Sequence, residues 1–224
     1  MPIITERLGK EFEMSICKGC GIQYISKTPY KYSMELPEKL KHRLNKLNEL
    51  YPIREHTAQK GNRYDFTGDE SKRLSAKSTK KGLGKVAPQV IGQSQPKKFC
   101  EIIGIEYTNI QDLKQYIQNN IKYILPILVE YTFDCPNIYY NQEKNTIRFI
   151  KLVNSINWDN YTFKWTCSWD KWRNSTTLKI ILDNNECALL EVQFHTKSRT
   201  NMAIRWVYEN FLTIFNKHLC IIDI

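Results

Sequence analysis

Residues 53–78 read IREHTAQKGNRYDFTGDESKRLSAKS, short extended runs separated by turn formers. The pattern predicts strands at 53–58, 63–67 and 73–78, with Gly68-Asp69-Glu70 turning between the last two. Side chains alternate along a strand, so Ser75 and Lys77 share one face. If the turn pairs the two strands, Asp65 lies beside them. A carboxylate, a hydroxyl and an ammonium are thus expected to meet.

Upstream, Thr5 is placed to cap a helix carrying Leu8, Phe12 and Ile16 at i, i+4 and i+8, stopped by Gly19 and Gly21. A second helix is predicted over 37–50, with Leu40, Leu44 and Leu47 buried and Pro52 beyond its end. Downstream, 80–98 is rich in Gly, Pro, Gln, Ser and Lys and reads as a loop. Helices are expected at 97–103 and 110–128, then strands at 139–140, 146–153, 161–166, 176–182 and 188–194. Asp183-Asn184-Asn185 suits a turn between the last two strands. A helix over 202–215, carrying Ile204, Val207, Phe211 and Ile214, closes the pattern. The fold class expected is α+β.

Of the 224 residues, 42% are apolar and 25% charged, a globular balance. The longest apolar run, 123–131, is interrupted by Pro126 and Glu130 and is too short to span a bilayer. Glu6, Glu11 and Glu13 near the start do not suit a signal peptide, so an intracellular protein is expected. Basic residues number 33 against 23 acidic, a net +10. Residues 1–100 hold 20 basic and 10 acidic side chains, and 101–224 hold 13 of each. Residues 72–98 carry eight Lys or Arg and no acid. A field concentrated in this way suits a polyanion such as nucleic acid, the alternative being a solvated basic face. The charge split suggests a basic part at 1–100 and a neutral, aromatic, β-rich part at 101–224. Trp158, Trp165, Trp169, Trp172 and Trp206 are expected to build the core of the latter.

Seven cysteines without an export signal argue against a disulfide framework. Cys17-Lys-Gly-Cys20 has the spacing of half a zinc site, but no second pair follows, so structural cysteines are expected. An Asp beside a Lys on adjacent strands has a different use. Hard ions such as Mg²⁺ take oxygen ligands and keep several waters. Such an ion lowers the pKa of a water and stabilises charge on a phosphate.

The order helix, strand, Asp-bearing strand, Lys-bearing strand resembles the PD-(D/E)XK nuclease core, with Asp65 and Ser75-Ala76-Lys77 similar to its signature hairpin. The segments 64–66, 74–78 and 86–93 are similar to those of bacterial type II restriction endonucleases. So are Glu191-Val192-Gln193-Phe194-His195, Arg199 and Arg205-Trp206. The resemblance implies a central mixed sheet flanked by helices, with a C-terminal β-rich part. It also implies Mg²⁺-dependent hydrolysis of double-stranded DNA at a short specific sequence, by a monomer or homodimer in the bacterial cytoplasm. Asp65 would bind the metal, Lys77 would act on the nucleophilic water and Ser75 would hydrogen-bond within the site. Two positions depart from the pattern. Tyr64 replaces the proline, which is not a ligand, and Ser75 replaces an acid, which removes one ligand. Glu13, flanking the apolar stripe beside Ile16, is the first candidate for the second metal carboxylate, ahead of Glu11 and Glu70; the alternative for each is a solvated charge.

A second constellation competes. Asp183 followed by Glu191 and Gln193 across a turn has the same outline. The preferred role for that strand is recognition. Glu191, Gln193 and His195 on one face, with Arg199 and Arg205 after them, are residue types that read base edges. Lys80, Lys81 and Lys85 are expected on phosphates, and Gln93 among the DNA-binding residues. The string 190–196 also resembles a strand of RelA/SpoT-type pyrophosphokinases, which would act on nucleotides. A non-catalytic DNA-binding protein is the remaining alternative.

Overall fold

A computed structural model describes residues 4–26, 32–58, 63–195 and 202–224. Its helices are α1 (Ile4–Cys20), α2 (Glu35–Leu50), α3 (Pro96–Ile103), α4 (Ile110–Asn119), α5 (Ile121–Phe133) and α6 (Tyr208–Ile214). The strands are β1 (Glu55–His56), β2 (Phe66–Thr67), β3 (Arg73–Thr79), β4 (Lys85–Val86), β5 (Asn137–Asn141) and β6 (Thr146–Leu152). They continue with β7 (Thr162–Trp165), β8 (Ser175–Leu182), β9 (Asn185–Phe194), β10 (Met202–Val207) and β11 (Leu219–Asp223).

The chain forms two compact units. The first comprises 1–84, 135–153 and 219–224, and the second 85–134 and 154–218. The second unit is therefore made of two excursions, one between β3 and β5 and one between β6 and β11. This division differs from the 1–100 and 101–224 parts suggested by charge. Charge records where lysines accumulate, whereas unit membership follows strand pairing, and β3 takes β5 as its neighbour.

In the first unit six described strands run in the order β1-β2-β3-β5-β6-β11. β3 and β5 are parallel, from Ser75 opposite Asn137 to Thr79 opposite Asn141, and the other pairs are antiparallel. The sheet is thus mixed, and the α+β expectation holds. Leu8, Phe12 and Ile16 of α1 and Leu40, Leu44 and Leu47 of α2 are buried in one core with Leu74, Ile138, Tyr140 and Ile147. Each such side chain stabilises the fold by about 1.5–3 kcal/mol. Gly21, at φ 68°, ends α1 as Ile22 N–H bonds back to the Cys17 carbonyl. Gly19 does not stop the helix. It lies inside α1, where a Cβ would meet Leu44 Cβ at 2.5 Å, so it admits α2 at close range. The Thr5 side chain, the expected cap, lies outside the described residues.

The second unit holds the antiparallel sheet β4-β10-β9-β8-β7. β8 and β9 join through Asp183 and Asn184, with φ of 46° and 65°, a two-residue turn whose twist suits a hairpin. Trp158, Trp172 and Trp206 are buried, while Trp165 and Trp169 are half-buried. Three expectations fail here. Residues 202–207 are a strand paired to Leu190–Phe194, because side chains on both of its faces are buried and sheet pairing overrides the helical spacing of Ile204 and Val207. Only Tyr208–Ile214 is helical there. The helix expected over 110–128 is two, divided where Asn120 takes φ −118° and ψ 27°. The loop expected over 80–98 contains β4, whose Val86 pairs with Trp206, and the start of α3. Among the described residues no helix is long and apolar enough to cross a membrane.

Candidate active site

Asp65 immediately precedes β2, and its carbonyl accepts the Thr57 and Ala58 N–H groups at 2.8 and 3.2 Å. Its Oδ2 accepts the Ser75 hydroxyl at 2.9 Å and the Ala76 N–H at 2.7 Å. Two donors from β3 thus fix one carboxylate oxygen. No donor among the described residues reaches Oδ1. Burial pushes the Asp65 carboxyl above its usual range; Lys77 pulls it down, Glu13 pushes it up, and the net shift is upward. Both Lys77 and Glu13 therefore lie within electrostatic reach of Asp65, and the Lys77 ammonium makes no hydrogen bond to another described residue.

Glu13 follows Phe12 on α1, at the edge of the apolar stripe, and is 7% exposed. Lys10, one turn earlier, contacts both its oxygens at 2.9 and 3.0 Å. His56 Nε2 lies 3.0 Å from Glu13 Oε2. The other ring nitrogen, Nδ1, accepts the Ile25 N–H at 3.2 Å, so the ring proton sits on Nε2 and Nε2 donates to Glu13. Of the other carboxylates considered, Glu11 accepts from Arg7 and from the Ser33 N–H, and Glu70 is exposed on the 69–71 turn.

The structure therefore brings Asp65, Ser75, Lys77 and Glu13 together. Sequence reasoning missed His56 and Lys10. The Lys10–Glu13 spacing of i, i+3 was a usable signal; nothing local distinguished His56. Among the described residues no group of three or more His, Cys, Asp and Glu side chains gathers as a ready metal cage. Mg²⁺ does not require one, since it is held by one or two carboxylates and retains waters. Asp65 Oδ1 and Glu13 supply hard oxygen. These residues fit Mg²⁺. Burial pushes the Cys17 and Cys20 thiols up, and among the described residues no further His, Cys, Asp or Glu joins them to complete a four-ligand zinc site.

The residues expected to meet DNA divide into several groups. Glu191 stands opposite Arg205 on β9 and β10. Arg205 Nη2 donates to Glu191 Oε1 and to Gln193 Oε1, each at 2.6 Å, and Lys85 donates to Glu191 Oε2. Burial raises the Glu191 carboxyl, but Lys85 and Arg205 outweigh it and carry it below its usual range. Both Glu191 oxygens are thus paired within this cluster, while Arg205 Nε is buried without a hydrogen-bond partner. Asp183 sits in the hairpin turn before β9 begins at Asn185, and Glu191 is six residues further along that strand, roughly 20 Å away at strand rise, so the two do not form one site. His195 and Gln93 are exposed. Lys80 and Lys81 occupy the turn after β3, with no acidic partner among the described residues. Arg199 lies outside the described residues.

Over 216 residues the chain is 43% identical to a protein named Type II restriction enzyme CviAII from Paramecium bursaria Chlorella virus 1. The match covers 95% of this chain and 61% of that protein, so the chain spans about three fifths of its relative's length. No family model and no solved structure matches the chain. The chain is thus similar, over nearly all of itself, to a protein named as a type II restriction enzyme.

Proposed function

We propose that the chain is a type II restriction endonuclease of PD-(D/E)XK type, hydrolysing phosphodiester bonds of double-stranded DNA at a short specific sequence with Mg²⁺. The observation that carries this reading is Asp65 pinned to β3 through Oδ2, with Oδ1 left for a ligand and with Lys77 and Glu13 beside it. The likeness to a named restriction enzyme supports the same reading. Asp65 and Glu13 would hold the ion, whose contribution is to acidify a water and stabilise charge on the phosphate. Lys77 orients that water and faces the negative charge that grows on the phosphate. Ser75 keeps Asp65 in place, which gives the position a use although it carries no acid. Lys80 and Lys81 contact backbone phosphates.

Incubation with phage DNA and Mg²⁺, followed by a gel, tests the proposal. Discrete bands are expected. A smear would contradict sequence specificity, and intact DNA would contradict cleavage.

A further inference from the structure

We infer that His56 is a positioning residue that holds Glu13 ready for the divalent ion, an inference that rests on the reading of Asp65 and Glu13 as the metal carboxylates. His56 is 0% exposed and lies between two rings, stacked on Tyr24 at 4.8 Å and tilted against Phe66 at 5.2 Å. Those contacts fix the ring plane. The Ile25 N–H fixes the tautomer by occupying Nδ1, which leaves the Nε2 proton aimed at Glu13 Oε2. Rotation of the ring would break both bonds at once.

A glutamate has several rotatable bonds, and an unsupported one must be ordered at the moment a ligand binds. His56 orders it beforehand from a place solvent does not reach. The other partner of Glu13 is different in kind. The Lys10 side chain is 21% exposed on a flexible stem, so its ammonium can leave for water when another cation takes its place. His56 is thus the permanent partner of Glu13 and Lys10 the exchangeable one.

Mn²⁺ binding to the full chain, followed by the paramagnetic resonance signal of the free ion, tests this without relying on cleavage. His56→Phe keeps a ring between Tyr24 and Phe66 and removes both nitrogens. His56→Gln gives up the ring and keeps an N–H donor toward Glu13. His56→Phe is expected to bind Mn²⁺ about 10–100-fold more weakly, the usual effect of removing a partner behind a metal ligand. It should also need more Mg²⁺ for half-maximal cleavage, with kcat largely restored at saturating metal. His56→Gln should stay closer to the unaltered chain. Unchanged Mn²⁺ affinity in folded His56→Phe, together with weakened binding in Glu13→Gln, would overturn the inference and leave the Glu13 assignment standing. Unchanged affinity in Glu13→Gln would remove that assignment and the inference with it. If His56→Phe does not fold, His56→Leu, which also lacks a donor, takes its place: weakened Mn²⁺ binding in the folded protein supports the donor role, and unchanged affinity overturns it.

Discussion

Each unit carries a carboxylate beside cations, and the two are built to opposite ends. Asp65 in the first unit receives neutral donors on Oδ2 and has Lys77 nearby without a bond to it; burial and Glu13 leave its carboxyl raised. Glu191 in the second unit has both oxygens taken by cations, Arg205 and Lys85, and its carboxyl is lowered. The residue types are nearly the same. Asp65 keeps one oxygen without a donor among the described residues and can take a ligand there; Glu191 has both oxygens on cations and gains little from another. Residue identity nominates both, and only the hydrogen-bond partners tell them apart.

The largest effect that would break this contrast is catalytic. Lys77→Ala is expected to lower the single-turnover cleavage rate by about 10²–10³-fold, the scale seen when one electrostatic stabiliser of a transition state is removed. Glu191→Gln, assayed at saturating DNA, should change that rate far less. A larger loss in Glu191→Gln than in Lys77→Ala would move the centre to the second unit.

Next in size is a change to the scaffold beneath the site. Gly19→Ala forces a Cβ to within 2.5 Å of Leu44 Cβ, and overpacking of this kind costs about 1–3 kcal/mol. Thermal unfolding should show the loss, and cleavage per folded molecule should not fall. An unchanged melting temperature would show that α1 and α2 separate without cost.

A pH series sharpens the electrostatic half of the comparison. Asp65 has a folded pKa above its unfolded value, so the folded chain keeps that proton longer and loses stability as pH rises through the interval between them. Glu191 has a folded pKa below its unfolded value. Its contribution is complete above the unfolded value and is lost as pH falls through the folded one. Melting temperatures from acid to neutral pH should therefore show Asp65→Asn relieving the loss on rising pH. Glu191→Gln should remove part of the loss on acidification. The same direction of change in both variants would erase the contrast.

The smallest effect separates lysines. Replacing Lys80 or Lys81 should reduce the slope of log affinity against log salt by about 0.9 for each phosphate that is no longer neutralised. Lys85, held by Glu191, should alter the slope less. Equal changes at Lys80 and Lys85 would show that the Glu191 pair opens on DNA.

Much of the first unit was legible because its signals are local. The Leu8, Phe12 and Ile16 stripe, the Leu40, Leu44 and Leu47 stripe and the turn before Arg73 each declare themselves within a few residues. The proximity of Asp65 to Ser75 and Lys77 followed from one hairpin. His56 was not legible, since its role depends on Tyr24, Ile25 and Glu13 converging from elsewhere in the chain. The strand at 202–207 was missed for the same reason. Apolar residues buried on both faces lose the alternation that marks a strand, and the pairing with β9 is not written in the segment itself. The self-pairing of Glu191, Gln193 and Arg205 was likewise hidden, because a set of base-reading residue types does not show that each already has its partner.

The most direct test of the Asp65 centre is cleavage by Asp65→Asn of a DNA that the unaltered chain cuts into discrete fragments. DNA binding is measured on the same preparation with Ca²⁺ in place of Mg²⁺, since Ca²⁺ adopts larger, looser coordination. DNA that is bound in Ca²⁺ and uncut in Mg²⁺ is the expected result. Fragments formed at the unaltered rate by Asp65→Asn would contradict the assignment of the cutting centre to Asp65 and Lys77.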